Sequence, residues 1–570
     1  MEAGRVLTFD QYVYSRPDMN EEKEKFEGLL RRLSQAASSE EAIQAVRDIN
    51  AFRNRLSTMG NLAYIRASID TRDPFYQQER DFFDEAQPQI QEMVTRYYRQ
   101  ILSSPYRPQL EEAFGRQLFQ LAELEIKAFS PEVMELLQKE NKLVSEYNKL
   151  KASAKIDFQG GTYTLAQLEP YEENKDRSVR RAAVEAKYGF YEQNGEQFDR
   201  IFDELVRTRH EIAVRLGYRN FVELGYIRMQ RVGYTPDDVK AFRKQVRESI
   251  VPVASRLYER QAARIGVDKL KFHDEAIKFL SGNATPKGSP EWIIDHGRRM
   301  YEELSPETGA FFRYMLERRL MDLEAKPGKE YGGYCTYIED YESPFIFSNF
   351  NGTSGDIDVL THEAGHAFQV YQSRHLSVPE YAFPTMEAAE IFSMSMEFFT
   401  WPWMELFFKE DTEKYKYAHL SSSLLFIPYG VAVDEFQHLI YENPEWTPEE
   451  RKAAWKKVES IYLPHRDYDG IPYLEAGGFW QKQGHIYQSP FYYIDYTLAQ
   501  LCAFHFWKRD RENHEEAWKD YLAICKLGGS RSFLELVEAG GLESPFKDGV
   551  VDSVVRTIEQ YLDSVDDKAL

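Results

Sequence analysis

Apolar residues recur at intervals of three and four along most of this chain, which is the spacing of amphipathic helices. The intervening positions are mainly Glu, Lys, Arg and Gln, and the longest such segments are 21–57, 76–103, 107–153 and 176–217. Helices are predicted to resume after Pro236 and to continue to about residue 325. The pattern therefore predicts a mainly α fold.

Two regions break the helical pattern with β-type sequence. Residues 156–165 have the pair Gly160-Gly161 at their centre, which predicts a β-hairpin that turns there. Residues 332–337 and 343–350 are aromatic and β-branched and are bounded by turn residues, which predicts two strands. The pattern is helical again from residue 386 to the end, with breaks predicted at Pro402, Pro444, Pro464, Pro472 and Pro490.

The overall composition is that of an ordinary soluble globular protein. Of the 570 residues, 43% are hydrophobic and 29% are charged, which allows a large core and more than one lobe. The net charge of −22 argues against a nucleic-acid partner, because a phosphate backbone would be repelled. No segment approaches the ~20 consecutive apolar residues of a membrane span, so no membrane association is expected. Nothing in the sequence implies a partner protein.

The first residues and the cysteines indicate the compartment. Residues 1–6 lack the basic and apolar stretches of a secretory signal. The three cysteines are odd in number and have no Cys-x-x-Cys spacing; they are Cys335, Cys502 and Cys525. Free thiols in a reducing cytosol are the simplest explanation, so we expect a cytoplasmic protein.

The pentapeptide His-Glu-Ala-Gly-His at residues 362–366 carries the strongest chemical signal. Positions i and i+4 share one face of a helix, so His362 and His366 can present two imidazole nitrogens to one Zn²⁺. Glu363 can then act as general base toward a water at the metal. Gly365 costs about 1 kcal/mol in helix propensity relative to Ala. The bare position would let another chain or a substrate approach this helix closely.

The third ligand distinguishes the classes of zinc peptidase. A metzincin needs a glycine three residues and a histidine six residues after the second histidine, where this chain has Gln369 and Gln372. A glutamate on a following helix is the other common arrangement. In the helix-forming segment that follows, Glu387, Glu390 and Glu397 share one face, which is either a solvated surface or a stripe directed at the metal. Spacing alone does not choose between Glu387 and Glu390.

His-Glu-x-x-His, a gap of about two dozen residues and Glu-x-x-Ser together resemble the thimet-oligopeptidase family of zinc peptidases, in particular its oligoendopeptidase F branch. The family's Glu-x-x-Ser motif matches residues 390–393, which implies that Glu390 rather than Glu387 is the third ligand. A further acid of the family matches Glu397, which implies a carboxylate that orients a zinc-bound histidine. The resemblance is clear over residues 330–500 and weaker upstream.

The resemblance also implies an architecture. Two mostly helical lobes would surround a deep peptide channel, with one Zn²⁺ per chain at its floor and a small β-sheet beside the zinc helix. We therefore expect an N-terminal helical region at 1–190 and a zinc peptidase catalytic region at 191–570. No change in composition marks that boundary.

The two strands predicted before the zinc helix contain candidate substrate-binding residues. The pattern alone is equally compatible with a small sheet packed on the core and with an exposed edge that pairs with an extended peptide. The resemblance favours the peptide-binding edge, with the candidates Gly332, Gly333, Tyr334, Phe347 and Asn349.

A Gly-rich loop followed by a histidine and several tyrosines contains candidate donors to the oxyanion of a cleaved amide. The family places such donors after a loop that matches Gly477-Gly478, which implies a role for His485 and for one or more tyrosines, the candidates being Tyr492, Tyr493 and Tyr496. Ser489-Pro490-Phe491 has the Pro-Phe form of the oligoendopeptidase F branch rather than the loop of the thimet branch. The choice among the three tyrosines therefore stays open.

The expected function is that of a zinc endopeptidase acting on short unfolded peptides. One alternative is a helical zinc carboxypeptidase, which shares the motif and would remove single residues from the C-terminus. An alternative of another class is a catalytically silent peptide-binding protein, against which the intact Glu363 argues, because binding alone needs no general base.

Overall fold

The computed structural model describes residues 6–326, 329–330 and 332–570, and most of these residues are helical. The α-helices are, in chain order, α1 Met19–Ser34, α2 Ser39–Ile69, α3 Pro74–Ser103, α4 Arg107–Phe114, α5 Arg116–Ala128, α6 Met134–Ala152, α7 Leu165–Glu172, α8 Arg177–Gln193, α9 Gly195–Arg215, α10 Phe221–Arg228, α11 Pro236–Gln245, α12 Val251–Arg264, α13 Pro290–Leu304, α14 Pro306–Glu317, α15 Gly355–Ser373, α16 Met386–Phe399, α17 Glu405–Phe408, α18 Thr412–Glu442, α19 Pro448–Tyr462, α20 Pro472–Glu475, α21 Gly484–Gln488, α22 Tyr493–Glu512, α23 His514–Leu527, α24 Phe533–Ala539 and α25 Val550–Asp563.

The strands form two small sheets, so the predicted mainly α fold with a small sheet is confirmed. They are β1 Ile156–Phe158, β2 Gly161–Tyr163, β3 Met321–Glu324, β4 Tyr334–Ile338 and β5 Ser343–Phe350. β1 and β2 pair antiparallel, and Gln159 and Gly160 turn the chain with φ of 47° and 80°. The larger sheet has the order β3-β5-β4, with β5 parallel to β3 and antiparallel to β4.

Two predictions along the chain were wrong. Residues 265–289, placed in a helical stretch, contain no α-helix, since the chain leaves α12 at Arg264 and enters α13 at Pro290. The end of that stretch, near residue 325, is the strand β3, whose Met321 pairs with Ile346 of β5. A four-residue strand has too little sequence pattern of its own, and its partner lies in a later part of the chain.

The chain divides into two compact units, each assembled from three separated stretches. The first unit contains Met1–Phe129, Thr285–Glu410 and Cys502–Glu543, and the second contains Ser130–Ala284, Asp411–Leu501 and Ser544–Leu570. The predicted boundary near residue 190 falls within α8 and inside the second unit, so these units divide the chain elsewhere.

Within the first unit, α1, α2 and α3 pack their apolar faces together around Phe26, Leu30, Ile49 and Tyr97, all of them buried. Local capping defines the helix starts: the Asp18 carboxylate accepts hydrogen bonds from the first turn of α1. The larger sheet belongs to the same unit, and β5 leads through a short turn into α15, the helix that carries the His-Glu-x-x-His motif. None of the helices in the described ranges is both long and apolar enough to cross a membrane.

Candidate metal centre

The pentapeptide 362–366 lies within α15, as its apolar spacing predicted. One helical turn separates the two imidazoles, whose ring centroids are 5.1 Å apart. Asp356, in the first turn of α15, accepts hydrogen bonds from the backbone N–H groups of Asn351 and Gly352, both at 2.8 Å. These bonds fix the turn between β5 and α15, and so the direction in which the histidine helix leaves the sheet.

Glu390 of α16 lies against both imidazoles. Its Oε2 is 3.2 Å from Nε2 of His362 and 3.4 Å from Nε2 of His366. Among the residues that the structure describes, these three form the group whose donor atoms lie close enough together, within 4.8 Å, to hold one metal ion. Glu387 is buried on the same helix but is not a member of this group.

The acidic stripe of α16 is not a solvated surface, because nearly every residue of this helix is buried. Ser393 donates a hydrogen bond from Oγ to Oε2 of Glu390 at 2.7 Å, across one helical turn. The Glu-x-x-Ser pair therefore fixes the rotamer of a carboxylate that has no freedom to leave the interior.

Gly365 explains how α16 comes so near to α15. A Cβ atom at this position would lie 2.6 Å from the carbonyl oxygen of Phe392, 2.7 Å from Cα of Ser393 and 3.0 Å from Cβ of Met396. The close approach that a bare position permits is thus made by another helix of the same unit. Glycine between the two histidines brings the backbone that carries Glu390 within reach of their rings.

Glu397 sets the orientation of the first histidine. Nδ1 of His362 donates a hydrogen bond to Oε1 of Glu397 at 2.7 Å, which leaves Nε2 directed at Glu390. A carboxylate that holds one ring nitrogen fixes the tautomer whose other nitrogen can bind a metal.

Opposite charges in this cluster favour the ionised forms of His362 and Glu390. Burial favours neutral forms, but Glu390 and Glu397 raise the pKa of His362 well above its usual value. Burial likewise opposes ionisation of Glu390, yet the two imidazoles hold the pKa of that carboxyl well below its usual value. A compact group of two imidazoles and one ionised carboxylate is a donor set suited to a divalent transition metal.

Glu363 follows the first histidine on α15 and is buried, with 8% of its surface exposed. Burial raises the pKa of its carboxyl, and His362 and His366 oppose that rise. Within the described ranges no donor hydrogen-bonds to this carboxylate, so its lone pairs remain available to accept a proton. A buried carboxylate with a raised pKa is suited to general acid–base chemistry.

The β4 edge of the sheet lies beside Glu363. A Cβ atom at Gly333 would be 3.7 Å from Oε1 of Glu363. Tyr337 of β4 lies opposite Pro344 of β5, and proline has no N–H to donate. The backbone N–H and C=O of Tyr337 therefore face away from β5. The carbonyl oxygen of Tyr337 accepts a hydrogen bond from Nδ2 of Asn61 instead. By the two-residue period of a strand, Cys335 also directs its N–H and C=O to the outer edge.

The other predicted substrate-binding residues support this edge in different ways. Asn349 donates from Nδ2 to the carbonyl oxygens of Glu330 and Gly332, at 2.8 and 2.9 Å, and so holds the segment that leads into β4. Phe347 is fully buried and stacks on Tyr334 with ring centroids 4.7 Å apart. These aromatic rings pack the sheet, whereas Gly333 places no side chain of its own against Glu363.

His485 and the three candidate tyrosines form one cluster in the second unit. Nε2 of His485 is 3.2 Å from the hydroxyl of Tyr496, and the rings of Tyr492 and Tyr493 lie 5.5 and 5.0 Å from the imidazole, centroid to centroid. Gln483 donates to Nδ1 of His485 at 2.8 Å, which places the imidazole proton on Nε2. The hydroxyl of Tyr496 therefore accepts a hydrogen bond from His485.

Comparisons with known proteins identify the family of the chain. The M3 N-terminal domain matches residues 9–129, and the model of peptidase family M3 matches 171–280 and 307–556, more than half of the chain. An oligoendopeptidase F homologue of Borreliella burgdorferi is 24% identical over 71% of this chain and 67% of its own length. A homologue from Lactococcus lactis subsp. lactis is 22% identical over 69% of this chain and 65% of its own length. The chain thus spans about two thirds of these relatives.

Solved structures match over nearly the whole chain. The structure of PZ peptidase A with an inhibitor is 60% identical, covers 98% of this chain and 100% of its own, and superposes with a TM-score of 0.96. A structure from Bacillus anthracis strain Ames, provisionally designated oligoendopeptidase F, is 56% identical over the full length of both chains, with a TM-score of 0.92. The chain belongs to peptidase family M3.

Proposed function

We propose that this peptidase is a zinc-dependent endopeptidase that hydrolyses internal bonds of short, unfolded peptides. The observation that carries the proposal is the convergence of Nε2 of His362, Nε2 of His366 and Oε2 of Glu390, donor atoms that lie within 4.8 Å of one another. The buried Glu363 follows the first histidine on the same helix, and both imidazoles act on the pKa of its carboxyl. A binding protein would need neither this convergence nor a buried general base.

The residues present fit one Zn²⁺ per chain. Two imidazole nitrogens and one carboxylate oxygen are the ligand set of many catalytic zinc sites, which keep a fourth position open for water or substrate. His362 has its Nδ1 held by Glu397 and its Nε2 directed at Glu390, so that Nε2 is the nitrogen it would present to a metal, as ligating histidines usually do. When bound, zinc would supply Lewis acidity toward the scissile carbonyl and toward the attacking water.

Glu363 would carry the proton transfers of the reaction. Its carboxylate takes a proton from the attacking water, and the resulting carboxylic acid then protonates the leaving amine. The raised pKa of Glu363 favours the first role, since a carboxylate whose conjugate acid is weaker is a stronger base than an exposed carboxylate. The outer edge of β4 at Cys335 would pair with the backbone of an extended peptide and present a bond to Glu363.

His485 and Tyr496 are proposed to stabilise the oxyanion that forms at the cleaved carbonyl. The hydrogen bond between Nε2 of His485 and the Tyr496 hydroxyl holds these two groups together, and imidazole N–H and tyrosine O–H groups are both suited to bind an oxyanion. Tyr492 and Tyr493 line the same cluster and are the alternatives for this role.

Mass spectrometry of a length-graded peptide mixture, with and without a chelator, tests the proposal. Internal cuts that are confined to short peptides and abolished by the chelator are expected. Successive losses of single residues from the C-terminus would instead indicate a zinc carboxypeptidase. A zinc-loaded sample that binds peptides and cleaves none of them would indicate the silent peptide-binding protein.

A further inference from the structure

Lys482 carries an ammonium group in an unusual setting within the second unit. It ends a short turn at Phe479–Lys482, and its Nζ lies 4.5 Å from the ring centroid of Phe479 and 6.0 Å from that of Tyr429. The side chain is half-buried. Among the described residues, no carboxylate pairs with this ammonium and no oxygen accepts a hydrogen bond from it, so three N–H donors are unfilled.

Two further lysines place additional positive charge near Lys482. Nζ of Lys151 donates to the backbone carbonyl oxygen of Lys482 at 2.9 Å. Lys187 is paired with Glu172 at 3.0 Å. Burial, followed by the charges of Lys187 and Arg466, lowers the pKa of Lys482 to about 7, and Glu172 only partly opposes this.

Arg466 adds a further cation, and Glu275 is already paired with its guanidinium through two hydrogen bonds of 3.1 and 2.8 Å. The local charge is therefore positive in a chain whose net charge is −22. Two aromatic rings recover only a small part of the solvation that a half-buried ammonium loses. An anion that filled the free donors would remove this cost.

The unfilled ammonium is connected to the His485 cluster by side chains of the same unit. Tyr429, one of the rings beside Lys482, donates from its hydroxyl to Oε1 of Gln483 at 2.9 Å. Gln483 in turn donates to Nδ1 of His485 at 2.8 Å. The ring of Tyr429 also lies 5.7 Å from that of Tyr493, centroid to centroid. Lys482 is thus linked to the proposed oxyanion donors through Tyr429 and Gln483.

We propose that Lys482 binds a carboxylate of the peptide substrate, with Lys151 and Lys187 supplying the surrounding positive potential. The inference rests on the proposed function, since it takes the ligand to be a peptide. Every linear peptide carries a carboxylate at its C-terminus, and some carry others on Asp or Glu side chains. A single ammonium between aromatic rings suits one such group, held by charge-assisted hydrogen bonds.

Matched peptides test this inference. One short substrate is prepared as two matched pairs. The first pair differs only in a free C-terminal carboxylate or a C-terminal amide. The second pair differs only in Glu or Gln at one position on the C-terminal side of the cleaved bond. We expect the wild-type enzyme to favour the peptide with the additional carboxylate by about tenfold in kcat/KM, mainly through KM. In Lys482→Gln and Lys482→Met this ratio falls to about one. Lys482→Met retains the side-chain packing against Phe479.

Lys457 is the matched control, because it is an exposed lysine of α19 in the same unit, and Lys457→Gln should keep the tenfold ratio. A preference for the free acid over the C-terminal amide would show that Lys482 binds the C-terminal carboxylate. A preference for Glu over Gln would show that it binds a side-chain carboxylate. A wild-type ratio near one, or a ratio that persists in both Lys482 variants, would overturn the inference. Internal cleavage of any of these peptides upholds the proposed function in either case, whereas no cleavage at all would count against that function.

Discussion

Substitution of Gly365 by Ala should disturb the metal centre without removing any ligand. The added Cβ would lie 2.6 Å from the carbonyl oxygen of Phe392 and 2.7 Å from Cα of Ser393. Both atoms belong to the backbone of α16, so no side-chain rotation relieves the overlap. To reach an ordinary contact of 3.4 Å, the two helices must separate locally by roughly 0.8 Å.

That displacement is large for a metal site, because ligand distances are normally fixed to within about 0.2 Å. Glu390 lies on the displaced turn, so its Oε2 would move away from both imidazoles. We expect zinc affinity to fall by about 10- to 100-fold, the range seen when groups that orient metal ligands are lost. Overpacking costs about 1–3 kcal/mol. The better helix propensity of Ala returns about 1 kcal/mol, so the free energy of unfolding should fall by at most about 2 kcal/mol.

Zinc affinity is measured by competition with a chromophoric chelator, and stability by urea unfolding of the metal-free protein. Gly28 is the matched control: it lies in α1 of the same unit, and a Cβ there would have no neighbour within 4 Å. Gly28→Ala should leave zinc affinity unchanged and stabilise the protein slightly. If Gly365→Ala bound zinc as tightly as Gly28→Ala, the close approach of α16 would not be what positions Glu390.

Three further predictions concern other parts of the structure. Glu390→Ala should abolish stoichiometric zinc binding, whereas Glu387→Ala should retain it; metal analysis after gel filtration would expose the opposite pattern. Glu397→Ala should weaken zinc binding by about 10- to 100-fold. Glu397→Gln should weaken it less, because the amide oxygen still accepts a hydrogen bond from His362. Equal zinc affinities of both variants and wild type in the chelator competition would refute this prediction. Burial lowers the pKa of His438 to about 4, so the unfolded chain takes up more protons between pH 6.5 and 4, and stability falls as pH falls through that range. Between pH 7.5 and 5 wild type should lose about 2 kcal/mol more than His438→Gln in urea unfolding, and parallel losses would contradict this assignment.

Those residues of the metal centre that lie close together in sequence could be predicted from sequence alone. His362, Glu363 and His366 need only one helix, and a helix was predicted from apolar spacing. Glu390 lies on a different helix, so the spacing of residues could not choose between Glu387 and Glu390 as the third ligand. Only the family resemblance favoured Glu390. The purpose of Gly365 could not be predicted, because it depends on which backbone lies opposite, a tertiary contact that no periodicity records.

Long-range pairing accounts for most of what sequence reasoning missed. β3 is four residues long and is stabilised by β5, more than twenty positions later. The interleaved units have no composition signature, because each is assembled from three stretches of ordinary globular sequence. Lys151, Lys187 and Lys482 are likewise distant in sequence, and each alone resembles a surface lysine.

The most direct test of the account compares Glu363→Gln with wild type in one experiment that measures bound zinc and peptide cleavage together. Gln preserves the size of the side chain, and Glu363 is not among the three grouped donors, so the variant should bind one zinc per chain. The amide cannot accept the proton from water, so turnover should fall by about 10²–10⁴-fold or more. A zinc-loaded Glu363→Gln enzyme that cleaved peptides at the wild-type rate would contradict the central claim.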